Sequence, residues 1–246
     1  MGAQIANDKV VDYKWKGLYK AGGVGALIVG TLLLIETIAY IGTSAPSLAD
    51  AAGWFSLFHN NRFIGLVDFG ILELYALVFF VPMFLALHAV LRRASESYMA
   101  IAAILAFVGI AVNFATSNLF SLLTLSDLYA AATTAAMKSQ FLAAGQATLA
   151  LGALGGIGGS VEGGIPLAVS GLIISAIMLR RNILGRAAGI VGILANGIGL
   201  VMYFNAALAP AISGSPFFGP FFLFSVIWFI LIGCKLIQTK GNFNEQ

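Results

Sequence analysis

The chain has 246 residues, of which 60% are hydrophobic and only 9% are charged, and its formal net charge is +3. A soluble globular protein carries about 25% charged residues, so this composition excludes a water-soluble domain. It predicts a multi-pass integral membrane protein of the cell membrane. The basic residues fall in short clusters between apolar runs, which is the pattern of topology signals and gives no indication of nucleic-acid binding. The single cysteine, Cys234, excludes an intrachain disulfide.

Apolar runs in chain order predict an all-α six-helix transmembrane bundle that forms one domain over residues 1–246. The predicted spans cover residues 18–41, 63–91, 98–124, 160–179, 187–208 and 217–237. The first run is too long for the hydrophobic region of a signal peptide, so we expect it to be retained as a helix. Between the first two spans, Trp54, Phe55 and Phe58 predict a short outer amphipathic segment.

The stretch from Ala136 to Leu179 contains two apolar runs, and positive charge decides how often it crosses the membrane. One crossing leaves only Arg62 and Lys138 on the outside, as the positive-inside rule requires. Two crossings would place three arginines outside, namely Arg180, Arg181 and Arg186. Residues 141–154 are therefore predicted to form an extra interfacial, broken or re-entrant helix before the fourth span. Both termini are predicted to be cytoplasmic.

Two predicted spans carry side chains of one character along a single helix face. In the third span this face is polar and consists of Asn113, Thr116, Ser117, Ser121 and Thr124. In the fifth span it is mostly glycine and consists of Gly185, Gly189, Gly192, Asn196, Gly199 and Tyr203. The glycines predict close packing against another helix. The amides either line a binding site or form structural hydrogen bonds across helices.

Besides Glu162, which begins the fourth span, three carboxylates lie within the predicted spans, where they are costly and normally face protein, a cavity or a partner. Glu36 lies about 24 Å above Lys20 on the first predicted helix. Glu73 lies about 16 Å below Arg62 on the second, near the midplane, and Asp68 lies shallower on that same helix. With no basic residue at comparable depth, the sequence favours a bound cation or proton. The alternative is a protonated acid that forms a structural hydrogen bond.

Several common kinds of chemistry find no support in the sequence. His59 and His88 lie about 43 Å apart along a helical chain, so they cannot share one haem or one metal ion. The glycine-rich stretch at residues 155–164 has neither the dinucleotide-binding nor the P-loop fingerprint. No catalytic triad can be placed at one depth of the membrane. The sequence therefore indicates no catalytic mechanism and identifies neither a cofactor nor a set of metal ligands.

Two segments of the chain carry recognisable local patterns. The first runs from Val81 to Arg93 and continues through Ser95-Glu96-Ser97 into the third span, and the second runs from Leu179 to Gly192. Both resemble segments of an uncharacterised prokaryotic membrane family, domain of unknown function 4386. The second segment is similar to the arginine-rich inner turn and helix start of that family, with Gly185 and Ala188 in place of its proline and leucine. The resemblance covers about two thirds of the chain. It implies a six-helix membrane protein and no established activity.

The leading hypothesis is an acidic, outward-facing intramembrane pocket that binds or translocates a proton, a metal cation or an organic cation. Its candidate ligand-binding residues are Glu36, Asp68, Glu73, Asn113, Ser117, Asn196 and Tyr203. One alternative is a non-catalytic helical subunit that packs with a partner membrane subunit or with copies of itself. Another holds a quinone or lipid against the aromatic residues between Phe217 and Trp228. Contact with the lipid bilayer is expected in every case, and a nucleic-acid partner in none.

Overall fold

The computed structural model describes residues 15–43, 45–47, 49–151, 157–208 and 218–239. All regular secondary structure in these ranges is α-helical apart from one 3-10 residue at Trp15, which confirms the predicted all-α class. The helices are α1 (Lys16–Gly42), α2 (Ala51–Asn60), α3 (Arg62–Asp68), α4 (Ile71–Leu91), α5 (Glu96–Thr116), α6 (Leu119–Ala131), α7 (Ala135–Leu151), α8 (Ile157–Arg181), α9 (Arg186–Leu208) and α10 (Phe218–Gln238).

Within the described ranges, 6 segments are long and apolar enough to cross a membrane. They are α1, α4, α5 together with α6, α8, α9 and α10. A chain with this many long apolar helices is a multi-pass membrane protein that lies in a lipid bilayer. The helical bundle predicted from the apolar runs is therefore confirmed.

The long helices α1, α4, α5, α8, α9 and α10 form a closed ring, in which each packs against the one before it and the one after it. The ring closes because α10 packs against α1, and α4 also contacts α8 across the centre. Successive helices run in opposite directions. The turns at residues 92–95 and 182–185 therefore lie at one end, the basal end, and the connections from α1 to α4 and from α5 to α8 lie at the other.

Glycine at helix contacts explains how closely the helices of the ring approach. A Cβ atom on Gly25 of α1 would lie 2.9 Å from the Phe79 carbonyl oxygen of α4. A Cβ atom on Gly109 of α5 would lie 2.7 Å from the Gly163 carbonyl oxygen of α8. Any larger residue at these positions would force the backbones apart, so the glycines permit the close packing that holds helices together in a membrane.

The predicted glycine face of the fifth span is confirmed in part. Gly189 packs against Leu179 of α8, Gly192 against Trp228 of α10, and Gly199 against Phe221 of α10. All three are buried. The prediction is wrong for Gly185, which precedes α9 in the turn from α8 and has a φ of 92°. Only glycine adopts that backbone conformation without strain, so this residue serves the turn and not the helix face.

Four short helices, α2, α3, α6 and α7, pack over one end of the ring, and we call them the cap. The indole of Trp54 meets the Phe69 ring edge-on at a centroid distance of 4.8 Å. Ser126 of α6 donates a hydrogen bond to the Phe55 carbonyl oxygen of α2 at 3.2 Å. The segment with Trp54, Phe55 and Phe58 is the helix α2, but its aromatic side chains are buried in the apolar core of the cap rather than spread over an interface.

The structure divides two of the predicted spans into separate helices. The predicted span 63–91 becomes α3 and α4, which are separated at Gly70 by a left-handed residue with a φ of 96°. The predicted span 98–124 becomes α5 and α6, because Ser117 adopts an extended backbone with a ψ of 118°. Of the stretch predicted as an extra interfacial, broken or re-entrant helix, residues 141–151 are helical in α7 and residues 152–154 lie outside the described residues. Phe217, before α10, also lies outside them.

The basic residues are distributed unequally between the two ends of the bundle. Of those the structure describes, the cap carries Arg62 and Lys138, and the basal end carries Lys16, Lys20, Arg92, Arg93, Arg180, Arg181, Arg186 and Lys235. Arg62 binds Asp127 of α6 through two hydrogen bonds of 3.1 and 3.0 Å. At the basal end, the Arg92 guanidinium lies 5.3 Å from the centre of the Trp15 ring. The bundle therefore has one strongly basic end.

Candidate functional site

The three carboxylates of interest all lie at the capped end of the ring. Glu36 lies six residues, or about 9 Å, before the end of α1. Asp68 is the last residue of α3, and Glu73 lies in the first turn of α4. The prediction that Glu73 lies near the midplane is therefore wrong. The break at Gly70 starts the spanning helix two residues before Glu73, so this residue lies near the capped end of α4.

Helix packing brings these carboxylates together into what we call the acid cluster: Glu36, Asp68 and Glu73. Helix α1 packs along α4 and also contacts α3. As a result, the charges of Glu73 and Asp68 both act on Glu36. Asp68 belongs to α3 and Glu73 to α4, so both can lie near Glu36 although they do not share one helix face. Three like charges in a partly buried region repel one another unless a proton or a cation neutralises them.

Buried oxygens of Glu36 and Asp68 lack hydrogen-bond donors among the described residues. Glu36 Oε2 and both carboxylate oxygens of Asp68 are buried, and the described residues supply none of them with a hydrogen bond. The Thr43 hydroxyl lies near Asp68, but its proton is donated to the Ala39 carbonyl oxygen at 3.0 Å. Burial raises the pKa of Asp68 above 3.8, and the nearby Thr43 hydroxyl opposes that rise. No described cationic side chain lies within 4.0 Å of the cluster.

Helix α9 reaches the acid cluster through Tyr203. Tyr203 lies close enough to Glu73 for the charge of this carboxylate to act on its hydroxyl group. The ring fits over a glycine of α8, since a Cβ atom on Gly164 would lie 2.5 Å from the ring carbon Cζ. Phe221 of α10 meets it edge-on at a centroid distance of 6.1 Å. Four predicted site residues, Glu36, Asp68, Glu73 and Tyr203, therefore lie in one region of the molecule.

The other predicted site residues lie elsewhere or form bonds within their own helices. Asn113 is buried against Gly163 of α8, and its side-chain nitrogen donates to the Gly109 carbonyl oxygen at 2.9 Å. Its amide therefore stabilises α5, which favours the structural interpretation. Ser117 lies partly buried at the end of α5, where the helix breaks, so the polar stripe that continued through Ser117 to Thr124 does not lie on one helix.

Asn196 lies deeper in the ring than the acid cluster. It precedes Tyr203 by seven residues, or about 10 Å along α9. Its side chain lies against Gly171 of α8, and its nitrogen donates to the Gly192 carbonyl oxygen at 2.7 Å. This contact with a neighbouring helix and a bond within its own helix make Asn196 a packing residue of the α8–α9 contact.

Two polar groups in the centre of the ring were not predicted from the sequence. Ser175 Oγ and Trp228 Nε1 are buried without a hydrogen-bond partner among the described residues, and both approach Gly192 of α9. Trp228, one of the aromatic residues considered for a quinone or lipid site, lies in the core, with its ring centre 5.2 Å from that of Phe229. Gly192 was the feature of the sequence that could have indicated these groups. The space beside a buried glycine is filled by side chains of the neighbouring helices.

Metal coordination finds no support in the part of the chain that the structure describes, which contains no group of three or more His, Cys, Asp and Glu side chains arranged to hold a metal ion. The two histidines serve other purposes. His59 lies in α2 of the cap, and the His88 Nδ1 atom lies 3.2 Å from the Met99 carbonyl oxygen at the basal turn.

Comparison with known proteins adds no constraint: no family model, no curated protein and no solved structure matches this chain. The chemistry of the site therefore has to be argued from its own geometry. That geometry consists of three interacting carboxylates and one phenol, at the capped end of a helical ring, without a basic partner among the described residues.

Proposed function

We propose that this membrane protein binds a proton, or failing that a small cation, at the acid cluster and exchanges it with the aqueous phase on the side of the cap. The observation that carries the proposal is the approach of three carboxylates, two of which, Glu36 and Asp68, have buried oxygens without a hydrogen-bond donor among the described residues. A buried anion without a partner is strongly disfavoured, so such a group either neutralises itself with a proton or holds a cation.

The proton is the first choice because the cluster lacks the donor geometry of a metal site among the described residues. A proton needs only one carboxylate oxygen and is shared readily between neighbouring acids. The phenol of Tyr203 beside Glu73 can donate a hydrogen bond to a carboxylate once the proton has left. The Tyr203 hydroxyl could therefore donate a hydrogen bond to an ionised carboxylate and accept one from a protonated carboxyl group.

Charge distribution supports an orientation for this function. We assign the basal end to the cytoplasm and the cap to the outside, because cytoplasmic loops carry the excess of lysine and arginine. Both termini are then cytoplasmic, α7 belongs to the outer interface, and the acid cluster is accessible from outside. Kinship with domain of unknown function 4386 remains a prediction that is compatible with this arrangement.

The alternative function, a helical subunit of a larger assembly, was suggested by the glycine faces. In the structure, Gly189, Gly192 and Gly199 pack against helices of the same chain. These glycines are therefore not available to a partner, and they give no separate support to the assembly hypothesis. The acid cluster is the feature that favours ion binding over a purely structural role.

The test is modification of the purified protein with dicyclohexylcarbodiimide, which reacts with protonated carboxyl groups in apolar surroundings. Peptide mass spectrometry should find the adduct on Glu36 or Glu73 and not on the exposed Glu162. Glu73→Gln should change the reaction rate at Glu36, since their charges interact, whereas Glu162→Gln should not. Protection by sodium, magnesium or tetramethylammonium would identify a cation in place of a proton. Modification of Glu162 with none at the acid cluster would reject the proposal.

A further inference from the structure

A groove follows the outward face of α1 along its boundary with α4 and has a lysine at its basal end. Its volume is about 450 Å³, and its walls include Lys20, Ala21, Val24, Ile28, Phe79 and Pro82. A second, adjoining hollow shares Val24 and Ile28 with it and continues along α1 to Leu32. The two hollows adjoin at these shared residues on the lipid-facing surface, and together we call them the α1 groove.

Small residues and a close helix contact create this groove. Gly25 brings α1 against the backbone of α4 near Phe79, so the two helices leave a narrow valley between them. Ala21 and Gly17 are too small to fill the basal part of that valley. The Thr31 hydroxyl donates to the Leu27 carbonyl oxygen at 2.9 Å, so the upper wall exposes hydrocarbon and no free hydroxyl proton. The groove is therefore shaped for a flexible apolar chain.

The charge at the basal end of the groove has no counterion in the described structure. Lys20 is exposed, and no described carboxylate lies within 4.0 Å of its ammonium group. The surrounding end of the bundle is rich in lysine and arginine, which attracts anions to this surface. A compact ammonium group at the mouth of an apolar groove complements a molecule with an anionic head and an apolar tail.

The length of the groove matches one leaflet of a bilayer. Lys20 and Leu32 are twelve residues apart on α1, which corresponds to about 18 Å. Half of the hydrocarbon core of a bilayer is about 15 Å thick. An acyl chain that starts at the headgroup level beside Lys20 therefore ends near the midplane beside Leu32.

We propose that the α1 groove binds an anionic phospholipid, with its phosphate at the Lys20 ammonium group and one acyl chain against Val24, Ile28 and Phe79. The site is separate from the acid cluster, which lies at the opposite end of α1. Lys20 selects the charge of the headgroup, and the groove holds the chain. Such a lipid stays with the protein after solubilisation, whereas lipids on the rest of the surface exchange freely.

Native mass spectrometry of the detergent-solubilised full-length chain tests this. The protein is incubated with equal amounts of dioleoyl phosphatidylglycerol and dioleoyl phosphatidylethanolamine, which differ only in the headgroup. The unmodified protein should retain mainly phosphatidylglycerol. Lys20→Gln should lower the ratio of the two retained lipids about fivefold, as expected for one basic residue near a lipid phosphate. Lys235→Gln, which removes an exposed lysine of α10 at the same end, should leave the ratio unchanged.

A second experiment blocks the α1 groove with a large side chain. Val24→Trp fills the groove from an exposed position and should lower retention of both lipids, and Ala21→Trp serves as a second blocking variant. Excess inorganic phosphate should not displace the lipid, because the acyl chain contributes to binding. Equal effects of Lys20→Gln and Lys235→Gln, displacement by phosphate, or full lipid retention in both folded tryptophan variants would overturn the proposal.

Discussion

At the scale of single residues, polar side chains in the membrane part of this protein find space beside glycine. Four such pairs join neighbouring helices, namely Asn113 with Gly163, Tyr203 with Gly164, Asn196 with Gly171 and Ser175 with Gly192. The amides then donate to carbonyl oxygens of their own helices. A glycine opposite a polar side chain lets two helices approach without forcing that side chain into lipid, where it would be costly.

Asp68 makes stability depend on pH in a predictable direction. Burial raises its pKa in the folded protein above 3.8, so the folded state binds this proton more tightly than the unfolded state. The stabilisation from this proton is therefore fully present below about pH 3.8, the pKa of Asp68 in the unfolded chain. It is lost as the pH rises through the higher pKa of Asp68 in the folded protein. Thermal unfolding should show a fall in stability over that window, and Asp68→Asn should flatten it.

The control for this prediction is Asp50→Asn. Asp50 accepts a hydrogen bond from the Gly53 nitrogen at the start of α2, and asparagine is an equally good cap there. This substitution should therefore leave the melting temperature at neutral pH close to that of the unmodified protein. If Asp68→Asn and the unmodified protein lose stability in parallel over the same pH range, the burial of Asp68 is not the cause.

At the scale of helices, the structure depends on two interruptions that apolar content does not reveal. Gly70 takes a left-handed conformation and separates α3 from α4, and the extended backbone of Ser117 separates α5 from α6. These breaks turn two long apolar segments into spanning helices with short extensions that fold over the ring as part of the cap. The interruption at Gly70 also places Asp68 and Glu73 on separate helices near Glu36.

Contact between α8 and α9 depends on the glycine that faces Asn196. In Gly171→Ala the new methyl group would overlap the Asn196 side chain, so the helices have to move apart or the amide has to leave its bond with the Gly192 carbonyl oxygen. Overpacking of this kind destabilises a protein by about 1–3 kcal/mol. Thermal or denaturant unfolding in detergent should show a clear loss of stability.

A matched glycine on the partner helix provides the comparison. A Cβ atom at Gly197 of α9 would meet no described atom within 4 Å. Gly197→Ala should therefore leave stability unchanged or raise it slightly, by up to about 1 kcal/mol, because alanine favours the helix. Equal destabilisation by the two substitutions would mean that the contact between Gly171 and Asn196 does not hold these helices together.

At the scale of the whole molecule, the basic residues make the two ends of the bundle unlike. Lys138 lies in the cap, and Arg181 lies at the basal turn between α8 and α9. We predict that Lys138→Cys, in a Cys234→Ser background, is labelled from outside intact cells by an impermeant maleimide. Arg181→Cys should be labelled only after the membrane is opened. Labelling of position 181 from outside would refute the orientation with cytoplasmic termini.

The sequence by itself determined the class of the protein, the number of long apolar segments and the burial of Gly189, Gly192 and Gly199 on one face of α9. These properties depend on the length of apolar runs and on helical periodicity, which a linear pattern contains. It also identified Glu36, Asp68, Glu73 and Tyr203 as costly or unusual residues for a membrane, because the penalty for a buried polar group belongs to the residue itself.

Only the tertiary structure decided which of these residues meet. Hydropathy adds contributions residue by residue and does not sense a single backbone dihedral angle, so the left-handed Gly70 and the extended Ser117 were not predicted. The distance between side chains on different helices depends on how the helices pack. The antiparallel contact of α1 with α4 therefore assembles the acid cluster, whereas Asn113 and Asn196 were free to bond within their own helices.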